Sequence, residues 1–238
     1  MKRNININLK EKLGVVTKKI KLAKKRSLFG NDVKIVAVTK NKPFSCIVEA
    51  YQLGITSIGE NRVNDAIEKF KSSKYIPRVE KRFIGHLQSN KTKKCVNAFD
   101  TIDSIHSLKL LKKVSRECEK AKKTMEVLLE INTSRETQKK GFSIENTDEI
   151  LSCFDIDNVQ VTGLMTMAPF TKDEKKTRSC FSLLRNLKDK LNKSFPSRPL
   201  KQLSMGMSND YEIAIEEGST QIRLGTVLFG PRNQIKNF

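Results

Sequence analysis

"IVAVTK", Ile35 to Lys40, is four apolar residues and a β-branched threonine running into a lysine, with Pro43 shortly after. A short run of this kind, rich in Val and Ile, reads as a strand covered on both faces. The segment after Pro43, "FSCIVEAYQL", carries a helical pattern, so strand gives way to helix within a few residues. That is the opening of a unit whose helix leads back to a parallel neighbour. Lys40 stands at the end of the strand, where it is either a cation snorkelling to solvent or a lysine put to use.

The same alternation continues along the chain. Strands are expected at Val33–Val38, Ile55–Ile58, Arg82–Ile84, Thr101–Ser104, Glu126–Ile131, Gln160–Leu164, Gln202–Ser204 and Gln221–Leu224. Between them, helices are expected near Phe44–Leu53, Asn61–Phe70, Asn90–Ala98, Ser107–Lys122, Asn146–Phe154, Asp173–Lys193 and Asn209–Glu216. A strand-helix unit repeated eight times closes into a (β/α)8 barrel of the TIM type, whose usual size is about 250 residues. The length of 238 residues agrees. No G-x-G-x-x-G follows the first strand, which argues against an open doubly wound sheet. No internal linker is visible, so residues 1–238 are expected to form one domain.

An extra helix precedes the barrel. Residues 1–30 hold ten Lys or Arg against the single acid Glu11, supplying +9 of the net charge of +20. Asn8 and Glu11 form a capping-box pattern, and Leu9, Leu13, Val16, Ile20 and Ala23 recur at helical spacing, a stripe expected to pack on the barrel. No zinc finger, RNP-like aromatic strand or Gly-rich basic tail accompanies the charge. It is read as a solvated face, with no specific nucleic-acid partner. No apolar run approaches the roughly 18 residues of a membrane-spanning helix, and the basic N-terminus lacks a secretory core. A soluble, cytoplasmic monomer is the expectation. Cys46, Cys95, Cys118, Cys153 and Cys180 are odd in number, scattered and without a C-x-x-C pair, which fits reduced structural thiols and no metal site.

In such barrels the active site lies at the carboxyl ends of the strands. Those ends are polar here: Lys40, "GENRVN" (Gly59–Asn64), "GHLQSNK" (Gly85–Lys91), "DSIHS" (Asp103–Ser107), Asn132 with "KKGF" (Lys139–Phe142), "GLMTMAP" (Gly163–Pro169), "LSMGMSND" (Leu203–Asp210) and "IRLGTVLFGPR" (Ile222–Arg232). Barrels often bind a phosphate with their last two such loops. Ser204, Gly206, Ser208, Gly225 and Thr226 supply hydroxyls and uncluttered backbone there, although Gly and Ser also mark ordinary turns. Lys40 is expected across the mouth from that anion site. A lysine in apolar surroundings loses its proton more readily and becomes a Schiff-base nucleophile. Phosphate together with an aldehyde acceptor points to pyridoxal 5′-phosphate.

The motifs "VAVTK" with Pro43, "GENRVN", "IGHLQSNK", "IDSIHS", "GLMTM", "LSMGMSNDYEIAIEEGSTQIRLGT" and "LFGPR" together resemble the YggS/PROSC family of pyridoxal phosphate homeostasis proteins. The resemblance covers nearly the whole chain. It implies a barrel like the N-terminal domain of bacterial alanine racemase, with the cofactor held as a Schiff base on Lys40. It further implies phosphate contacts from Ser204, Ser208, Gly225 and Thr226, with Arg223 facing the pyridine nitrogen. Thr39 departs from the family's commoner serine but keeps the hydroxyl. A role in intracellular cofactor homeostasis without substantial catalysis is implied, with apoenzymes that need the cofactor as partners.

Arg223 bears on mechanism in its own right. A guanidinium only donates, so a bond to the pyridine nitrogen needs that nitrogen unprotonated, which makes the cofactor a weak electron sink. A structural ion pair is the plainer role. His86 and His106 could transfer protons or simply bind a loop. Asn61 and Asn90 line the mouth or cap helices, and Met165, Met205 and Met207 border the cofactor ring or pack in the core. The alternative function is an amino-acid racemase or lyase. Racemases of this fold add a second domain and a partner-chain tyrosine, and the tyrosines here are Tyr51, Tyr75 and Tyr211. A cofactor-free lysine aldolase is a third class.

Overall fold

A computed structural model describes residues 8–30, 32–71, 79–134 and 140–231. Helix α1 (Leu9–Arg26) comes first, followed by β1 (Lys34–Val38), α2 (Phe44–Gln52), β2 (Ser57–Glu60), α3 (Val63–Phe70), β3 (Glu80–Phe83), α4 (Thr92–Ala98) and β4 (Thr101–Ile105). The chain continues through α5 (Leu108–Lys120), β5 (Met125–Asn132), β6 (Phe142–Ser143), α6 (Thr147–Leu151), β7 (Val159–Met165), α7 (Glu174–Ser194), β8 (Gln202–Met207), α8 (Tyr211–Glu216), β9 (Gln221–Leu224) and α9 (Thr226–Phe229). Every strand pairing is parallel, and the ring closes where β4 meets β5 and where β1 meets β9. Eight strands make that ring, so the (β/α)8 barrel with its extra N-terminal helix is what the sequence folds into.

The ninth strand is an addition. β6 pairs with the last two residues of β5 outside the ring. Other boundaries also moved. The second strand lies at Ser57–Glu60 rather than Ile55–Ile58, because Ile55 packs ahead of the sheet. The strand expected to stop at Ser204 runs on to Met207. α9 was not expected at all, its four residues being too few to show a period. Neither Asn61 nor Asn90 caps a helix: the N-cap of α3 is Arg62, that of α4 is Lys91, and Asn90 sits in a 3-10 turn between. Asn8 does cap α1, accepting from the Glu11 N–H at 2.9 Å. Residues 1–7 of the basic segment, Tyr75, Lys139 and Arg232 lie outside the described residues.

The period of two along each strand sorts side chains into two compartments. Outward residues such as Ala37, Ile58, Phe83, Val127, Leu129, Leu203 and Ile222 join the helices in one apolar cluster. Burying each Val, Leu, Ile or Phe among them contributes roughly 1.5–3 kcal/mol. α1 adds Leu9, Val16, Ile20 and Ala23 to the same cluster, and Lys19 and Arg26 pair with Glu212 and Glu216 of α8.

The inward compartment is polar. Arg82 of β3 clasps Asp103 of β4 with two bonds of 2.9 Å, and Gln221 of β9 donates to Asp103 and to Ser204. Arg82 is 2% exposed and Asp103 fully buried, so breaking this pair should cost roughly 3–5 kcal/mol. The network ties strands from opposite sides of the ring and forms the floor on which the mouth is built.

Candidate functional site

Lys34, Val36 and Val38 alternate inward along β1, and the same parity brings Lys40 to the inner rim. The turn that carries it is held from outside. Thr39 is fully buried, its hydroxyl donating to Glu60 at 2.7 Å. Lys69 of α3 donates to the Thr39 carbonyl at 2.8 Å and to Glu60 at 2.6 Å. Asn41 then adopts φ 58°, a left-handed conformation that asparagine tolerates, and turns the chain away. Lys42 is spent elsewhere, donating to the carbonyls of Phe229 and Pro231.

Lys40 was expected across the mouth from the anion turn, and the structure corrects this. β1 and β9 are paired neighbours, Ala37 opposite Leu224, so the turn after β9 lies beside Lys40. Closing the ring joins its first and last strands, which a linear reading overlooks.

That turn gathers donors. The Ser208 hydroxyl accepts from the N–H of Gly225 at 3.3 Å and from that of Val227 at 3.2 Å. Two backbone donors therefore converge on one oxygen at the start of α9, with Thr226 exposed between them. Such convergence of N–H groups suits an anionic oxygen. A bulge between Ser204 and Met207 shapes the approach. Gly206 sits in it at φ 97°, and a Cβ there would meet the Ala214 Cβ at 2.6 Å.

The other expected residues divide. Arg223 is inward and buried, donating to the Ser204 hydroxyl and carbonyl and to the Thr166 carbonyl, each at 2.8 Å. Burial pushes its guanidinium down from the ordinary value, opposed by the carboxylates of Asp103, Asp210 and Glu130. Ser204 lies one layer below the turn as an acceptor for Arg223 and Gln221. Met205 points the other way into the cluster between sheet and helices, and its side chain does not border the mouth. Asn61 lies at the inner rim after β2, so close to Gly85 that a Cβ there would meet the Asn61 carbonyl at 2.4 Å.

Beyond the rim, Lys140 and His86 share a bond of 2.7 Å, and the His86 and His106 rings are 4.6 Å apart. Lys140 donates, so the ring nitrogen it meets is the unprotonated one. Burial lowers the proton affinity of both histidines, helped by Lys140. Neither described tyrosine reaches the interior: Tyr51 packs on the helical side, and Tyr211 is buried beside Lys19 of α1.

Three residues escaped the sequence reading. Glu60 and Lys69 clamp the Thr39–Lys40 turn, and Glu130 lies on the inward face of β5 one step before its last inward residue, Asn132. Burial raises the Glu130 carboxyl to about 7. Only its shared parity with Leu128 in "VLLEIN" could have signalled it.

Residues 13–233 match the family described as alanine racemase, N-terminal domain. The pyridoxal phosphate homeostasis protein of Aquifex aeolicus is 36% identical over 228 residues, covering 95% of this chain and 99% of its own. PipY of Synechococcus elongatus, solved with PLP bound, superposes with a TM-score of 0.82 at 32% identity, over 94% of this chain and 100% of its own. An alanine racemase of Clostridium difficile shares the fold with a TM-score of 0.71 at 16% identity, over 94% of this chain and 56% of its own.

Proposed function

The chain belongs to the pyridoxal phosphate homeostasis proteins of the alanine racemase N-terminal-domain family, and from that premise we propose that it holds pyridoxal 5′-phosphate on Lys40 as a carrier in cofactor homeostasis. The observation that carries the reading is the pairing of β1 with β9, which puts the Lys40 turn beside the converging N–H groups of Gly225 and Val227.

The donor set fits the group. Pyridoxal phosphate, when bound, supplies an aldehyde for an amine and a dianion for N–H donors. Ser208, Gly225, Thr226 and Val227 would hold the phosphate, and Lys40 the aldehyde carbon. Arg223 would donate toward the ring nitrogen, with Ser204 and Thr166 fixing its guanidinium. Asn61 would face the ring from the rim. The clamp of Lys69, Glu60 and Thr39 holds the Lys40 backbone in place, and Lys42 is tied to α9, which favours Lys40 over its neighbours.

A non-catalytic role is supported by Arg223, which can only donate and so favours an unprotonated ring nitrogen. Supply of cofactor to apoenzymes, a single domain over 1–238 and a cytoplasmic monomer complete the proposal. Their support is α1 sharing the barrel's apolar cluster, five free cysteines suited to a reducing compartment, and a charge of +20 that opposes self-association. No helix among the described residues is long and apolar enough to cross a membrane.

Lys40→Ala tests the reading. The variant should fold, lose the visible band of the loaded protein and take no pyridoxyl group on borohydride treatment. Fixation of pyridoxal on another lysine of the wild type would overturn the assignment.

Glu130 gives a racemase or lyase one specific observation in its favour, an acid-base group at the mouth with a value of about 7. Incubation with L- and D-amino acids in heavy water distinguishes the two. α-Proton exchange on the order of 1 s⁻¹, abolished in Lys40→Ala, would replace the carrier by an enzyme.

A further inference from the structure

The acids inside the barrel differ in one respect. Glu80 holds Lys34, Ser57 and Arg82. Asp103 takes Arg82, Thr101 and Gln221, and Glu126 accepts from Gln202. Glu130 is 7% exposed, and among the described residues nothing donates to it or pairs with it. Its parity is that of Leu128, whose side chain is buried inside the ring, so the carboxylate is aimed into the mouth. Its oxygens are not among the fully buried polar atoms, so they open to the mouth, where the N–H groups of a ligand could meet them.

We infer that Glu130 is a docking point for the primary ammonium group of a molecule entering the barrel mouth, a free amino acid or the lysine side chain of another protein. Its purpose rests on the carrier reading, since an amine of this class is what could exchange with Lys40 for the cofactor aldehyde. β5 stands opposite β1 in the ring, with three strands between them on either side, so an amine on Glu130 faces Lys40 across the mouth. A primary ammonium fits because it carries three N–H donors on a compact charge and needs no second carboxylate. A metal ion would need more ligands, and among the described residues no group of three His, Cys, Asp or Glu could hold one.

The surrounding charges are consistent with this. Arg223 of β9 and Lys140 after β5 favour the carboxylate, while burial outweighs them and raises it to about 7. Asp210 and Asp103 also act electrostatically on Arg223, and His86 and His106 lie beyond Lys140. An arriving ammonium would return Glu130 to its charged form near neutral pH.

The test uses the full chain freed of cofactor, with 13C in the glutamate carboxyls and Glu130 identified by the signal lost in Glu130→Gln. Saturating methylammonium should lower the Glu130 titration midpoint by about one pH unit, a tenfold preference for the carboxylate. Tetramethylammonium at equal ionic strength has no N–H and should leave it in place. Alanine and Nα-acetyl-lysine amide form the two further arms: a response to either supports the site and identifies its source, and a response to neither overturns it. Equal shifts by both simple cations, or undiminished saturation transfer to methylammonium in Glu130→Gln, would also overturn it. Borohydride fixation on Lys40 in the same preparation separates the two readings. Normal fixation without an ammonium response removes the docking point alone, and a response without fixation removes the carrier reading.

Discussion

The ammonium of Lys69 holds the carbonyl of Thr39 at 2.8 Å, one residue before Lys40. Lys69 and its partner Glu60 are 12% and 2% exposed, so this is a nearly buried ion pair acting on the main chain. Lys69→Met leaves Glu60 buried and unpaired, and urea unfolding should register a loss of roughly 3–5 kcal/mol. Lys69→Arg should recover part of the stability and of the cofactor fixed on Lys40. If Lys69→Met fixes pyridoxal as fast as wild type when both are fully folded, the clamp is structural only.

Ser208 and Ser204 should separate in their effects. Ser208 meets the two N–H groups of the turn, so Ser208→Ala should weaken pyridoxal phosphate about tenfold and leave pyridoxal little changed. Ser204 meets Arg223 and Gln221, so Ser204→Ala should weaken both ligands alike. Equilibrium dialysis of each variant decides, and a selective phosphate effect from Ser204 would move the anion site deeper.

Gly206→Ala places a side chain at φ 97° and 2.6 Å from the Ala214 Cβ. The backbone strain alone costs roughly 1–3 kcal/mol. For a chain of this size each kcal/mol lowers Tm by about 2–4 °C. Calorimetry showing an unchanged Tm would mean that the bulge rearranges freely.

Glu130 makes stability depend on pH. Its folded value, about 7, lies above the ordinary 4.5, so between these the folded protein keeps a proton that the unfolded chain has released. Stability therefore falls as pH rises through that window, by on the order of 3 kcal/mol for this group. Denaturation curves of Glu130→Gln should lack that fall. A parallel pH profile in the variant would show that Glu130 titrates normally.

Much of the fold was legible because covered parallel strands are short apolar runs and their crossovers are amphipathic. "VLLEIN" and "IVAVTK" announce themselves this way. The ends of β2 and β8 were not legible, since strands that run into a polar rim lose their apolar signature before they lose their ladder. Lys40, Ser208 and Gly225 stood at loop positions that composition could flag. Glu60, Lys69 and Glu130 did not, because their meaning lies in partners brought by tertiary packing, or in the lack of one. Asp103 and Gln221, 118 positions apart, show the scale of what a local pattern leaves out.

The pairing of β1 with β9 also orders events at the ribosome. Lys40 leaves the exit tunnel early, whereas Arg223, Gly225 and Thr226 are among the last barrel residues to emerge. Domains are made from the N-terminal end at about 5–20 residues per second, so the lysine waits many seconds for the turn beside it. A nascent chain that stops before β9 presents Lys40 without the Gly225 and Val227 N–H groups beside it. Joining the first strand to the last therefore makes closure of the barrel, and the meeting of the Lys40 turn with the turn after β9, a late event of synthesis.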